Sequence, residues 1–183
     1  MPARNDLLDA KLDRLAKSEQ KQLEEAGDLS DKGRLDEAIA KLEVLITSAD
    51  PEIHDLALNY LANAYAAKGR NAESESMLRR SIDERGTPNE GLGQQLAALA
   101  PLVRRQGRIE EAEEIYLRAL DVQRPDDPAI QVITMRNLAY LYWSTGRQDK
   151  ARETHSQLPK CDEEFLTWLM NTMRPFIEPA IPV

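Results

Sequence analysis

The fold is decided by one stretch of sequence, Gly107-Arg-Ile-Glu-Glu-Ala-Glu-Glu-Ile-Tyr-Leu-Arg-Ala-Leu120. It predicts a turn at Gly107 followed by an amphipathic helix, because Ala112, Tyr116 and Ala119 recur at i, i+4 and i+7 and therefore share one narrow face. The two alanines leave room for a second helix to approach this face closely. The stretch thus predicts half of a packed helix pair.

The same phrase returns three more times in weaker form, as Gly33-Arg-Leu-Asp-Glu-Ala38, Gly69-Arg-Asn-Ala-Glu-Ser74 and Gly146-Arg-Gln-Asp-Lys-Ala151. Successive glycines of the four phrases are separated by 36, 38 and 39 residues. A repeat of this length is typical of helix-turn-helix arrays, in which stacked neighbours bury a continuous core. The sequence therefore predicts an all-α fold.

The net charge of the chain makes some classes of binding partner less favourable than others. The chain has 183 residues, 24 of them basic and 32 acidic, for a formal net charge of −8. An acidic surface disfavours nucleic acid and anionic membranes as partners. The sequence has no apolar run long enough to span a membrane, no signal-peptide pattern at its start, and a single cysteine, Cys161, so we expect a cytoplasmic protein.

Helix-start and helix-stop signals divide the chain into segments. Asp50-Pro51, Thr87-Pro88 and Asp127-Pro128 each place an N-cap residue before a proline at the first helical position. The glycines of the repeated phrase are placed where a left-handed residue ends a helix. We expect a capping or handle helix at 1–18, four repeats at 19–50, 51–87, 88–127 and 128–160, a capping helix at 161–174 and an extended Pro-rich tail at 175–183.

The first helices of the last three repeats carry apolar stripes spaced i, i+3, i+4 and i+7, the pattern of a buried helix face. The stripes are Leu58, Leu61, Ala62 and Tyr65, then Leu96, Leu99, Ala100 and Val103, then Met135, Leu138, Ala139 and Tyr142.

These phrases resemble the tetratricopeptide repeat family. Leu61-Ala62-x-x-Tyr65 with Gly69, and Leu138-Ala139-x-x-Tyr142 with Gly146 and Ala151, match its pattern. The long repeats, with Leu58-Asn59-x-Leu61-Ala62 and Asn137-Leu138-Ala139, are most similar to the kinesin-light-chain subgroup. The resemblance implies a right-handed superhelical array of about four repeats whose first helices line a concave, peptide-binding groove.

The groove residues follow from the helical angle of the positions that flank each stripe. Asparagine suits a peptide backbone because its amide offers a donor and an acceptor, and aromatic residues and arginine are frequent binding hot spots. The two arginines predict that the groove prefers an acidic partner segment. We expect a peptide-binding site at Asn59, Asn63, Arg104, Arg136, Asn137, Tyr140 and Trp143.

The sequence has few residues in a pattern typical of a catalytic or metal site. The histidines, His54 and His155, lie in different repeats, and no cluster has the spacing of metal ligands. Cys161 has no neighbour that would activate it. We expect no catalytic, metal or cofactor site.

Three functions remain open. The leading one is a non-enzymatic scaffold or adaptor that binds a protein or peptide. The alternatives are a secretion chaperone of the tetratricopeptide type and a structural subunit that self-associates, as a homodimer through the N-terminal helix or the C-terminal tail.

The tail at 175–183 has a property of its own. Its three prolines favour the polyproline II conformation, so ordering it loses less entropy than ordering a flexible tail. We expect the tail to dock in an apolar groove of its own chain or of a neighbour, with Tyr140 and Trp143 as its platform. The alternative is a disordered end. Docking within the chain would make the tail compete with a peptide ligand.

Overall fold

The computed structural model describes residues 4–85, 91–122, 128–160, 162–172 and 174–181. Within these ranges every regular element is helical, which confirms the all-α prediction. The helices are α1 (Arg4–Asp31), α2 (Leu35–Leu45), α3 (Pro51–Ala67), α4 (Asn71–Arg85), α5 (Leu92–Arg105), α6 (Ile109–Val122), α7 (Pro128–Ser144), α8 (Gln148–Ser156), α9 (Glu163–Thr172) and a short 3₁₀ helix (Arg174–Phe176).

The four repeated glycines end their helices as the sequence predicts. Gly33, Gly69, Gly107 and Gly146 have φ values of 73, 73, 82 and 79°, in the left-handed region that other residues rarely adopt. After α3, for example, the Gly69 N–H donates to the carbonyl of Ala66, and the N–H of the next residue donates to the carbonyl of Tyr65, both at 2.9 Å. This pair of bonds closes the last helical turn.

The helix starts agree with the sequence in one place and differ in another. The Asp50 carboxylate accepts hydrogen bonds from the N–H groups of Glu52 at 2.9 Å and Ile53 at 3.3 Å, with proline at the first position of α3. By contrast, α5 as described begins at Leu92, after the predicted start near Pro88, with Gly91 at its N-cap. The Thr87-Pro88 and Asp127 caps lie outside the described residues.

The terminal helices also differ in extent from the expected segments. The predicted capping helix at 1–18 and the first helix of the first repeat are continuous in α1. At the other end, α9 lies inside the predicted capping segment 161–174. The tail is not extended throughout, because its first residues belong to the 3₁₀ helix.

The chain forms two compact units, Met1–Arg70 and Asn71–Val183. The division falls inside the predicted repeat 51–87, so α3 belongs to the first unit and α4 to the second. In the first unit α1, α2 and α3 pack against one another. The predicted stripe of α3 is buried, as are Ala38, Leu42 and Leu45 of α2.

In the second unit α5 packs against α4, α6 and α7, while α8 and α9 pack against α7. Ala112, Tyr116 and Ala119 of α6 are fully buried, as the opening stretch predicts. The stripes of α5 and α7 are buried too. Two helices of this unit, α5 and α7, therefore stand side by side and carry most of the predicted binding residues.

The arginine that follows each glycine turn makes local contacts. Arg70 stacks over the Tyr65 ring at 4.3 Å, and Arg147 stacks over Tyr142 at 4.7 Å. In the third repeat Val103 replaces the aromatic residue, and Arg108 instead pairs with Glu75 and Glu111. These arginines stabilise the turns through cation–π and ionic contacts.

Candidate peptide-binding site

The C-terminal segment 174–181 lies against α5 and α7 of its own chain. Phe176 is 1% exposed and Ile181 is 6% exposed, so the segment buries two of its three large apolar side chains, and Ile177 is partly covered. Three of its residues are held by polar side chains from the two helices. The expected docking of the tail is thus found, and it is found within the chain.

Asn137 of α7 holds the backbone of this segment. Its side-chain Nδ2 donates to the carbonyl of Phe176 at 2.9 Å, and its Oδ1 accepts from the N–H of Glu178, also at 2.9 Å. The side chain is fully buried, so both halves of its amide are satisfied by the segment it binds. A single asparagine therefore binds the main chain on both sides of Ile177.

Arg104 and Arg105 of α5 hold the carboxylate. The Arg104 guanidinium donates to Glu178 through Nε at 3.0 Å and Nη2 at 2.8 Å, a bidentate contact in which the Glu178 side chain is only 3% exposed. Arg105 donates through Nη1 to the carbonyl of Pro175 at 2.6 Å, and its Nε lies 3.6 Å from the same carboxylate. Bidentate arginine contacts are specific for carboxylate geometry as well as charge.

Tyr116 of α6 is influenced by the same charges. Burial and the nearby carboxylate of Glu178 raise the pKa of the Tyr116 phenol well above its ordinary value, and Arg104 opposes that rise. The hydroxyl is buried and has no hydrogen-bond partner among the described residues. An unpartnered buried hydroxyl beside the anchored carboxylate marks a polar position that the tail leaves unused.

The other predicted residues of the second unit lie at the edge of this site. Tyr140 is half-buried, and its ring lies under the Arg104 guanidinium at 5.0 Å. Arg136 approaches the sulfur of Met170 in α9 at 3.5 Å, and Trp143 is half-buried. The tail's polar anchors are thus asparagine and arginine, whereas the sequence predicted an aromatic platform.

The first unit carries the two remaining predicted residues, both half-buried on α3. Asn59 donates through Nδ2 to the carbonyl of Asp55 at 2.8 Å and to its carboxylate at 3.2 Å. Asn63 lies one helical turn further along the same helix. The predicted site residues are therefore divided between the two units, and only those of the second unit surround the tail.

Sequence reasoning missed Arg105 and assigned Tyr116 to the core alone. A signal for the carboxylate anchor was present, because Glu178 is the only acidic residue among residues 174–183 and α5 ends in an arginine pair. The pairing itself joins residues 74 positions apart, which no local pattern encodes.

Metal-ligand clusters and membrane-spanning helices are both absent from the described part of the chain. Over those residues, no three histidine, cysteine, aspartate or glutamate side chains come together in a way that could hold a metal ion. Nor is any helix there both long and apolar enough to cross a membrane.

Comparison with known proteins gives the same repeats. A profile of the tetratricopeptide repeat matches residues 94–158, and a second profile of that repeat matches residues 23–89. No curated protein matches the sequence significantly.

Two solved structures have a similar fold. One contains the nearly identical TPR-like repeats of a kinesin light chain from Podosopora anserina, with a TM-score of 0.62 and 17% identity over 86% of this chain and 93% of that one. The other is BtubC (BKLC) from P. vanneervenii, with a TM-score of 0.55 and 20% identity over 90% of this chain and 82% of that one. At such identities the likeness concerns the fold.

Repeats of this kind indicate a role in binding other proteins. The glycine turns, the buried stripes and both profile matches agree, and together the profiles cover most of the chain. The chain belongs to the tetratricopeptide repeat family.

Proposed function

We propose that the chain is a non-enzymatic scaffold or adaptor that binds a peptide segment of a partner protein between α5 and α7. One observation carries this proposal. Asn137 already binds a peptide backbone through both its donor and its acceptor, and nothing in that contact depends on the bound segment belonging to the same chain.

Charge supports an acidic partner segment. Arg104 binds a carboxylate in bidentate fashion, and the half-buried Arg136 lies on the neighbouring helix. On a protein with a net charge of −8, such a basic site steers acidic segments toward it and weakens with salt. The low cysteine content supports a cytoplasmic location for this binding.

A second face, in the first unit, has similar chemistry. Asn59 and Asn63 lie on α3 one turn apart, and both are half-buried. Side-chain amides at this spacing can hydrogen-bond an extended backbone. We include them as a separate peptide-binding surface that can be tested independently of the tail.

Self-association through the tail is less well supported. Phe176 and Glu178 are engaged by their own chain, so exchange with a second copy would have to break contacts that are already made. A homodimer would then depend on the N-terminal helix α1.

The proposal is tested by selecting short random peptides on the full chain carrying Glu178→Lys, which weakens the tail's own contacts. Peptides so selected should lose binding when Asn137→Ala is added. Asn171→Ala, on an exposed position of α9, is the matched control and should leave binding intact.

Circular dichroism of each variant checks that the helices are retained. If the selected peptides bind equally well with and without Asn137→Ala, the α5–α7 face is not the binding site. If no peptide is enriched over an unrelated protein, the proposed function itself is wrong.

A further inference from the structure

We propose that the α5–α7 site recognises segments of the form aromatic-x-Glu, and that residues 176–178 are a built-in copy of this motif which a partner must displace. This inference rests on the proposed function and names the chemistry of its ligand.

The hydrogen bonds of Asn137 fix the spacing of the motif. They join the carbonyl of Phe176 and the N–H of Glu178 and so bracket Ile177. Burial follows the same spacing, because Phe176 and Glu178 are buried while Ile177 between them is only partly covered.

Each end of the motif has its own selective contact. At the first position the site encloses a whole aromatic side chain, since Phe176 is 1% exposed. At the third position Arg104 and Arg105 surround one carboxylate. An uncharged residue there would leave the Arg104 guanidinium, whose side chain is only 17% exposed, without its bidentate partner, which penalises any segment lacking the acid.

The contacts outside residues 176–178 are fewer. Pro179 and Ala180, which follow the glutamate, are exposed. Beyond the motif, Arg105 binds the carbonyl of Pro175 and Ile181 is buried. Recognition of the carboxylate and of the backbone on both sides of Ile177 is therefore concentrated in residues 176–178, and these residues define the motif.

The docked tail leaves one buried polar group of the second unit without a hydrogen bond. The buried hydroxyl of Tyr116 has no hydrogen-bond partner among the described residues, although it lies close enough to Glu178 for the two to interact electrostatically. A partner segment that adds an acceptor at this point gains a hydrogen bond that the tail does not make. The tail is thus a competitor that a partner can outbind.

Tethering sets the strength of this competition. A segment joined by a short linker acts at an effective concentration on the order of mM. A free peptide of the same sequence should therefore bind the wild-type chain poorly at micromolar concentrations, and bind well once the tail's own contacts are weakened.

The test uses a fluorescein-labelled peptide of residues 174–181 and fluorescence anisotropy on full chains. We expect Glu178→Lys to bind it at least about tenfold more tightly than the wild type, since removing one partner of a buried charge pair weakens tail docking by more than that factor. Glu153→Lys, an equal charge change on an exposed position of α8, should behave as the wild type.

Peptide variants test the motif. Exchanging residues 177 and 178 keeps the composition but moves the carboxylate by one place, and it should abolish binding, as should alanine at the position of Phe176. In a second chain variant, Arg104→Glu, a peptide with lysine at the position of Glu178 should bind more tightly than the original peptide, which tests the contact without relying on Glu178→Lys.

The outcomes separate this inference from the proposed function. Equal binding of the original and the exchanged peptide overturns the aromatic-x-Glu motif. If selection yields Asn137-dependent peptides with another spacing, the motif is wrong while peptide binding stands. Peptide binding that is the same for the wild type and Glu178→Lys refutes the tail as competitor.

Discussion

Replacing Glu178 with alanine should release the tail from α5 and α7 without unfolding the helices. The carboxylate is 3% exposed and accepts two hydrogen bonds from Arg104, whose side chain is 17% exposed. A hydrogen bond to a charged group contributes about 1.5–3 kcal/mol, but both arginines can recover part of their hydration when the acid is removed. We therefore expect tail docking to weaken by about 2 kcal/mol, or about 30-fold in its equilibrium constant.

The assay is hydrogen exchange at the main-chain amide of residue 178, which donates to Asn137 Oδ1 when the tail is docked. This amide is protected only while the tail is bound, so its protection factor reports the docking equilibrium directly. Glu178→Ala should reduce that factor about 30-fold, whereas Glu153→Ala should leave it unchanged.

A double-mutant cycle then measures the coupling free energy between Arg104 and Glu178. Arg104→Ala should also reduce protection, and the two changes combined should cost less than their sum by about 2 kcal/mol, since each removes the same contact. Strict additivity of the two effects, or unchanged exchange at residue 178 in the single variants, would refute the reasoning that this ion pair holds the tail.

Three further predictions concern stability. Ala119 is fully buried, so Ala119→Leu overpacks the core and should lower the free energy of unfolding, measured by urea titration, by about 1–3 kcal/mol. An unchanged free energy of unfolding would mean that the buried face of α6 is assigned wrongly. Burial of Glu75 raises its pKa, yet hydrogen bonds led by that from Arg108 hold the pKa below its ordinary value, so Glu75 stabilises the fold above the ordinary pKa and loses this effect as pH falls through the lowered one. Glu75→Gln should therefore destabilise the fold at neutral pH and progressively less in acid, and an equal loss at every pH would contradict this. Tyr116→Phe removes a buried hydroxyl without a partner among the described residues and should raise or leave unchanged the melting temperature; a clear decrease would contradict the assignment.

Much of the fold could be predicted because its signals are local. A glycine that ends a helix needs only the left-handed region of φ, and Gly107 supplies it wherever the repeat is placed. The buried stripe of α7 follows from helical periodicity alone. For the same reason the helical angle placed Arg104 among the predicted binding residues, whereas Asn137 belongs to the motif that carries the family resemblance.

What the sequence could not provide depends on distant contacts. The two hydrogen bonds of Asn137 to the tail backbone join residues 39 and 41 positions apart, and the contact of Arg104 with Glu178 joins residues 74 positions apart. The division after Arg70 was hidden by the spacing of the repeats, because the glycine turns are separated by 36 residues before it and by 38 and 39 residues after it.

The most direct test of the central claim is a nuclear magnetic resonance titration of the isotope-labelled full chain with unlabelled peptide of residues 174–181. Two signals are followed, the main-chain amide at Glu178 and the side-chain amide of Asn137. As the peptide reaches the tail's effective concentration, on the order of mM, the Glu178 signal should move to its undocked position while Asn137 keeps its bound position, because the peptide replaces the tail. A Glu178 signal that stays docked throughout the titration would contradict the claim that tail and partner share one site.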